Sequence, residues 1–257
     1  MLGIVSLLVQ CATVPLTGRK QVLVYPDSEV LAVSLKAYDD FLKENKLSTN
    51  VEDTRRVKEV GARIAKAVED YLNTHGRASM VKDFKWEFNL VQSPEVNAWC
   101  MPGGKVVFYD GILPYCKNND GIAVVMGHEI AHAVARHGNE RMSQELLVQT
   151  GSQVAASVLA DNQSQMTQDM VLTALGVGTN LGIMLPYSRK HESEADRMGL
   201  IFMTIAGYDP EQAVQFWTRM AAGGGQKQPG FLSTHPTDEK RIADIKAEIP
   251  EALKYKP

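Results

Sequence analysis

Between residues 119 and 137, Ile122, Val124, Val125, Met126, Ile130, Ala131, Ala133 and Val134 leave almost no polar face, yet His128, Glu129 and His132 stand among them. Apolar residues on all sides of a helical period predict a helix buried all round. Ionisable groups inside such a helix are costly unless paired. His128 and His132 lie four residues apart and share one face, with Glu129 about a quarter-turn away. Two imidazole nitrogens so placed can take two corners of a zinc tetrahedron, and the carboxylate can reach a water on the metal. The pattern His-Glu-x-x-His fixes only three letters and also arises by chance in solvated helices. The apolar surround is what favours a metal.

A hydrolytic zinc site needs a third protein ligand and a position open to water. In the H-E-x-x-H-x-x-G-x-x-H pattern the third histidine would fall on Gly138 and the glycine on Ala135, so that pattern fails. His137, one residue out of register, reads as a group that supports a ligand or caps the helix end. A carboxylate from another helix is expected instead. The densest charged run, Ser188 to Gly199, opens an apolar helix. Its acidic residues also suit a solvated first turn. Glu192 and Asp196, however, are four residues apart, so one can ligate the metal while the other hydrogen-bonds a ligating histidine. Glu194 is expected to point to the surface.

Around these two segments, Val96 to Val106 reads VNAWCMPGGKV, Tyr187 to Asp196 reads YSRKHESEAD, and Ser233-Thr234-His235-Pro236 closes a loop. Together, from about residue 96 to 242, the motifs resemble the zinc metalloproteases that include HtpX, the CAAX prenyl proteases and the periplasmic BepA- and LoiP-type lipoprotein peptidases. The resemblance implies an α+β, mainly helical, zincin-like metalloprotease domain with a small β-sheet beside the H-E-x-x-H helix. It implies one Zn2+ per chain held by His128, His132 and Glu192, with Asp196 hydrogen-bonded to a ligating histidine. Glu129 would be the general base acting on zinc-bound water, with no covalent intermediate. Arg189 is placed in an ion pair with a carboxylate near the site.

The alternation of Phe84, Trp86, Phe88 and Leu90 predicts a half-buried strand over 84–91, and Val106 to Tyr109 another, with Pro102-Gly103-Gly104 as the turn between strands. From the residues alone this is equally an ordinary hairpin. The resemblance makes Asn97, Ala98, Pro102, Gly103 and Gly104 a substrate-binding edge, where an extended peptide adds as a strand. His235 follows the glycine-rich run Ala221 to Gly230 and has three readings: a hydrogen-bond donor to the oxyanion, a reversible plug in the fourth metal position, or a helix cap.

The remaining helices are expected near 28–45, 52–74, 140–160, 166–184, 189–206, 210–221 and 237–249, with a polar loop over Asp161 to Gln168. At 257 residues and a formal net charge of −3, the chain suits one domain and offers no basic footprint for nucleic acid. Residues 27–257 are assigned to the protease domain, without the helical-repeat domain that some relatives append. Residues 1–11 resemble the end of a lipoprotein signal, Leu8-Val9-Gln10-Cys11, and 12–26 a tether. The expectation is lipidation at Cys11, membrane association through that anchor, and a periplasmic location at the outer membrane. Cys100 and Cys116 suit either a disulfide or two buried thiols. Two functions follow. One is an envelope endopeptidase acting on unfolded or misassembled proteins. The other is a chaperone-like lipoprotein with a plugged zinc site that assists outer-membrane protein assembly. Oligomeric state is not legible.

Overall fold

A computed structural model describes residues 10–146, 188–223 and 230–257. The helix expected at 166–184, the loop at 161–168, most of that at 140–160 and residues 1–9 of the signal lie outside these. Strands β1 (Gln10–Thr13) and β2 (Lys20–Leu23) pair antiparallel. Helices α1 (Asp27–Glu44) and α2 (Val51–Thr74) follow. Then come β3 (Glu87–Val91), β4 (Ala98–Met101) and β5 (Lys105–Tyr109), the short α3 (Leu113–Cys116), α4 (Asn119–Val134) and a helical stretch α5 over 137–146. The rest is α6 (Arg189–Ile205), α7 (Gln212–Ala222), the single turn α8 (Gly230–Thr234) and α9 (Glu239–Ala252). The fold is α+β and mainly helical, as the sequence predicts.

Four of the helices start at a side chain that caps them. Asn50, Asn118, Ser188 and Asp238 cap α2, α4, α6 and α9 by accepting hydrogen bonds from the backbone N–H of Asp53, Gly121, His191 and Arg241. In α2, Val57, Val60, Ile64, Val68 and Leu72 form one buried stripe, whereas α4 is buried along nearly its whole length. α4 therefore runs through the middle of the core, packed by α2, α6, α7 and β4. The main sheet has the order β3-β5-β4, with β3 parallel and β4 antiparallel to β5, so β4 is an edge strand beside α4. The strand expected from residue 84 begins only at Glu87. Before it, the rings of Phe84 and Trp86 meet edge to face and cover the turn at Gly104.

One expectation is corrected, and of the two alternatives for the cysteines the structure shows the second. Residues 12–26 are not a loose tether: Val14, Gln21 and Leu23 are buried, and Ser143 accepts a hydrogen bond from the Val24 N–H at 2.9 Å, so the hairpin is part of the domain. Cys100 and Cys116 are both buried and both free. Among the described residues no helix is long and apolar enough to cross a membrane.

What sets the site is how closely α4 and α6 cross. A Cβ on Gly127 would fall 2.8 Å from the carbonyl oxygen of Gly199, and one on Gly199 would fall 2.8 Å from the backbone nitrogen of His128. Only glycine at both positions permits this approach. Gly127→Ala and Gly199→Ala are each expected to destabilise by about 1–3 kcal/mol through overpacking and to lower bound zinc. Denaturant unfolding and metal content check this; unchanged values for both would show that the backbones yield freely.

Candidate metal centre

α4 presents His128 and His132, the first turn of α6 presents Glu192, and His235 follows α8; one ligand atom from each lies within 4.8 Å of all the others. Nε2 of His132 is 3.1 Å from Nε2 of His128 and 3.3 Å from Oε1 of Glu192, while Nε2 of His128 is 3.5 Å from Oε2 of Glu192. Nδ1 of His235 lies 3.1 Å from Nε2 of His128 and 3.0 Å from Oε1 of Glu192. Ligands about 2.0–2.1 Å from a tetrahedral zinc stand roughly 3.3 Å from one another. The separations of 3.0–3.5 Å among these side chains are of the size zinc requires. Beside it, Oε1 of Glu129 is buried without a hydrogen-bond partner, 3.5 Å from Nε2 of His235. A buried carboxylate oxygen left open toward a cluster of imidazoles fits a position where a water on the metal is received. The donor set, imidazoles with one carboxylate, suits zinc.

The charge balance points the same way. Glu129, Glu192 and Asp196 are all buried. Nδ1 of His128 lies 3.0 Å from Oδ1 of Asp196, which fixes the ring with Nε2 turned inward. Burial works against a charge on His128, yet Asp196 and Glu192 outweigh it and raise the group to about 9. The site thus attracts positive charge even without an ion. Burial raises Glu129, which suits a general base.

Sequence reasoning missed Arg241. Its guanidinium donates to both carboxylate oxygens of Asp196, at 2.8 and 2.9 Å, and to the carbonyl of Pro236 at 2.9 Å; Nη1 is 2.8 Å from Oε2 of Glu192. It lies 3.6 Å over the ring of Trp217. Such a fork offsets the desolvation of two buried carboxylates and ties the His235 loop to them. The ion pair near the site that is expected of Arg189 is made by Arg241. The Arg189 side chain is 91% exposed, and among the described residues its carboxylate contact is with Asp238, at 3.9 Å. It sits at the first position of α6, outside the cluster.

Glu194 is also corrected, being buried rather than at the surface. It accepts from Nε2 of His137 at 2.9 Å, and Nδ1 of His137 is 2.9 Å from Nδ1 of His132. Burial alone would raise Glu194, but hydrogen bonds from His137, Thr17 and Arg19 hold it at about 2. Burial pushes His137 down to about 4, so it is neutral.

Of the residues expected at the substrate edge, Pro102 and Gly103 line a cavity of about 790 Å³ that reaches His132 and is walled by Leu31, Leu35 and Arg136. Asn97 and Ala98 are buried, Asn97 accepting from the Ala98 N–H at 2.9 Å. Gly104 faces Trp86, with a φ of 79° that disfavours a side chain. Cys11 is exposed at the start of the hairpin.

Asp196→Asn is expected to weaken zinc binding about 10–100-fold in a chelator competition. A second outcome concerns Glu140, which Arg19 grips at 2.6 and 2.7 Å. Burial raises it, but hydrogen bonds from His191 and Arg19 lower it from its ordinary 4.5 to about 2. A carboxyl depressed by folding stabilises above its unfolded value, and that contribution is lost as pH falls from about 4.5 toward 2. Glu140→Gln should therefore destabilise at pH 7 and flatten the stability curve over that acid range, read by unfolding at stepped pH.

Known proteins resemble this chain. The family described as Peptidase family M48 matches residues 53–249. The mitochondrial metalloendopeptidase OMA1 of Schizosaccharomyces pombe is 43% identical over 68% of this chain and 50% of its own length. Human OMA1 is 27% identical over 94% of this chain and 46% of its own. The Escherichia coli beta-barrel assembly-enhancing protease is 31% identical over 68% and 38%. The chain thus spans about half or less of the length of these relatives. The match is to the family as a whole and does not single out the HtpX, CAAX or LoiP branches. With this match over most of its length and a ligand cluster built on His128 and His132, the chain belongs to peptidase family M48.

Proposed function

We propose that this zinc endopeptidase cleaves unfolded or misassembled proteins of the bacterial cell envelope, and that His235 closes the resting site. One observation carries the closure: Nδ1 of His235 stands 3.1 Å from His128 and 3.0 Å from Glu192, at the fourth corner of the ligand cluster, with its other nitrogen beside Glu129. Zinc supplies an acidified water and polarises a carbonyl. His128, His132 and Glu192 are the residues proposed to hold it. Asp196 and Arg241 keep His128 and Glu192 aimed inward. Glu129 takes a proton at its open Oε1 and returns it to the leaving amine. Substrate enters when the turn carrying His235 withdraws.

The edge strand β4 and its turn at Pro102 and Gly103 receive an extended segment through main-chain hydrogen bonds, which confers affinity with little dependence on sequence. Only a chain already unfolded offers that conformation, and the cavity at His132 takes its side chains. The envelope setting is supported by the Leu8-Val9-Gln10-Cys11 segment, by the exposure of Cys11 and by a relative named for β-barrel assembly. In this reading Cys11 carries the lipid and the protein faces the periplasm from the outer membrane. Labelling with radioactive palmitate, present in wild type and absent in Cys11→Ala, tests it; no label in wild type rules the anchor out.

Zinc content and cleavage of β-casein by wild type, Glu129→Gln and His235→Ala test the activity. Glu129→Gln should keep its zinc and lose at least about 100-fold in rate. His235→Ala should cleave faster. A loss in His235→Ala comparable to that in Glu129→Gln would make His235 a donor to the oxyanion. Zinc-loaded but inert protein in all three would favour the chaperone-like reading, with the site held shut.

A further inference from the structure

The N-terminal hairpin, which lies outside the residues matched by the family, 53–249, reaches the metal centre through a chain of polar contacts. Arg19, in the turn leading to β2, donates from Nε to Oε2 of Glu194 at 2.7 Å and from Nη1 and Nη2 to Glu140 at 2.7 and 2.6 Å. Thr17 donates to the other oxygen of Glu194. Glu140 also meets Nε2 of His191 at 3.1 Å, and the rings of His191 and His137 stack with centroids 4.5 Å apart. From Glu194 the chain continues through His137 to His132.

Hydrogen-bond direction along this chain is fixed at one end. To hold a metal, Nε2 of His132 must be unprotonated, so its ring proton sits on Nδ1. Nδ1 of His137 lies 2.9 Å away and accepts that proton. His137 then carries its own proton on Nε2 and donates it to Glu194, also at 2.9 Å. A histidine bound to a metal ordinarily passes this proton directly to a carboxylate or a carbonyl. Nδ1 of His128 faces a carboxylate directly, 3.0 Å from Asp196, whereas Nδ1 of His132 faces a second imidazole. The two carboxylates have matching cations from opposite ends of the chain: Arg241 on Asp196 and Arg19 on Glu194.

We propose that Arg19 is a positioning residue of the zinc centre, clamping Glu194 against His137 and thereby holding His132 in the tautomer and rotation that present Nε2 to the metal. The inference rests on His132 being a zinc ligand. If Arg19 only pinned the hairpin to the domain, its loss would lower stability and leave the geometry at the metal as it was.

Cobalt distinguishes the two, because the visible absorption of Co2+ in a tetrahedral site reports ligand geometry. The full chain is stripped of zinc, reloaded with Co2+, and compared as wild type, Arg19→Gln, Arg19→Lys, Glu194→Gln, His132→Ala and, as a control in the same turn, the exposed Lys20→Gln. Arg19→Gln and Glu194→Gln should bind Co2+ and Zn2+ about 10–100-fold more weakly, with a shifted spectrum and a lower kcat at little-changed KM. Arg19→Lys, which keeps the charge but not the fork, should recover part of each. Lys20→Gln should match wild type. A lower melting temperature with unaltered affinity and spectrum in Arg19→Gln and Glu194→Gln would overturn the inference; if Arg19→Gln does not fold, Glu194→Gln decides alone. His132→Ala should lose the metal. Full binding in that variant would remove the ligand reading itself, an outcome separate from the first.

Discussion

Two helices can bring a histidine pair and a carboxylate to one point only if their backbones nearly touch there. α4 and α6 meet this condition at Gly127 and Gly199, next to His128 on one side and one to two turns from Glu192 and Asp196 on the other. The centre is thus held by helix packing, and the sheet is needed only to form a wall and an edge. The near-total burial of α4 follows from the same geometry, since it is enclosed by α2, α6 and α7 and by β4.

Enclosure creates the electrostatic problem that the remaining residues answer. Three buried carboxylates around two imidazoles would be untenable without cations. Arg241 supplies one fixed positive charge and a metal ion the other. Arg241 also bonds the carbonyl of Pro236, so the group that neutralises Glu192 and Asp196 holds the loop that bears His235. Opening of that loop and the charge state of the ligand set are for this reason physically linked.

Helical periodicity made it legible that His128 and His132 share one face and that Glu192 shares one with Asp196, because it converts spacing into direction; that Glu192 joins the histidines was implied by the family resemblance. Arg189 and Arg241 show where this stops. Both are arginines near a helix start, but Arg189 is at the first position of α6 and turned to solvent, while Arg241 is brought back from the last helix by tertiary packing that no local pattern encodes. Glu194 misled for a related reason: acidic residues in a first turn usually face water, and its partners come from a distant hairpin and from α5. The hairpin itself was read as a tether because its short strands carry little periodicity. Buried Val14 and Leu23 hold it in place.

The contacts around the metal position join residues far apart in the chain, from the α4 histidines to Arg241, and through His137 and Glu194 to the hairpin. Contacts of such long sequence separation form late in folding. A chain in which α9 has not yet docked has the His-Glu-x-x-His helix but not the arginine that balances Glu192 and Asp196. The assembled ligand set is therefore a property of the completed fold and not of the motif alone.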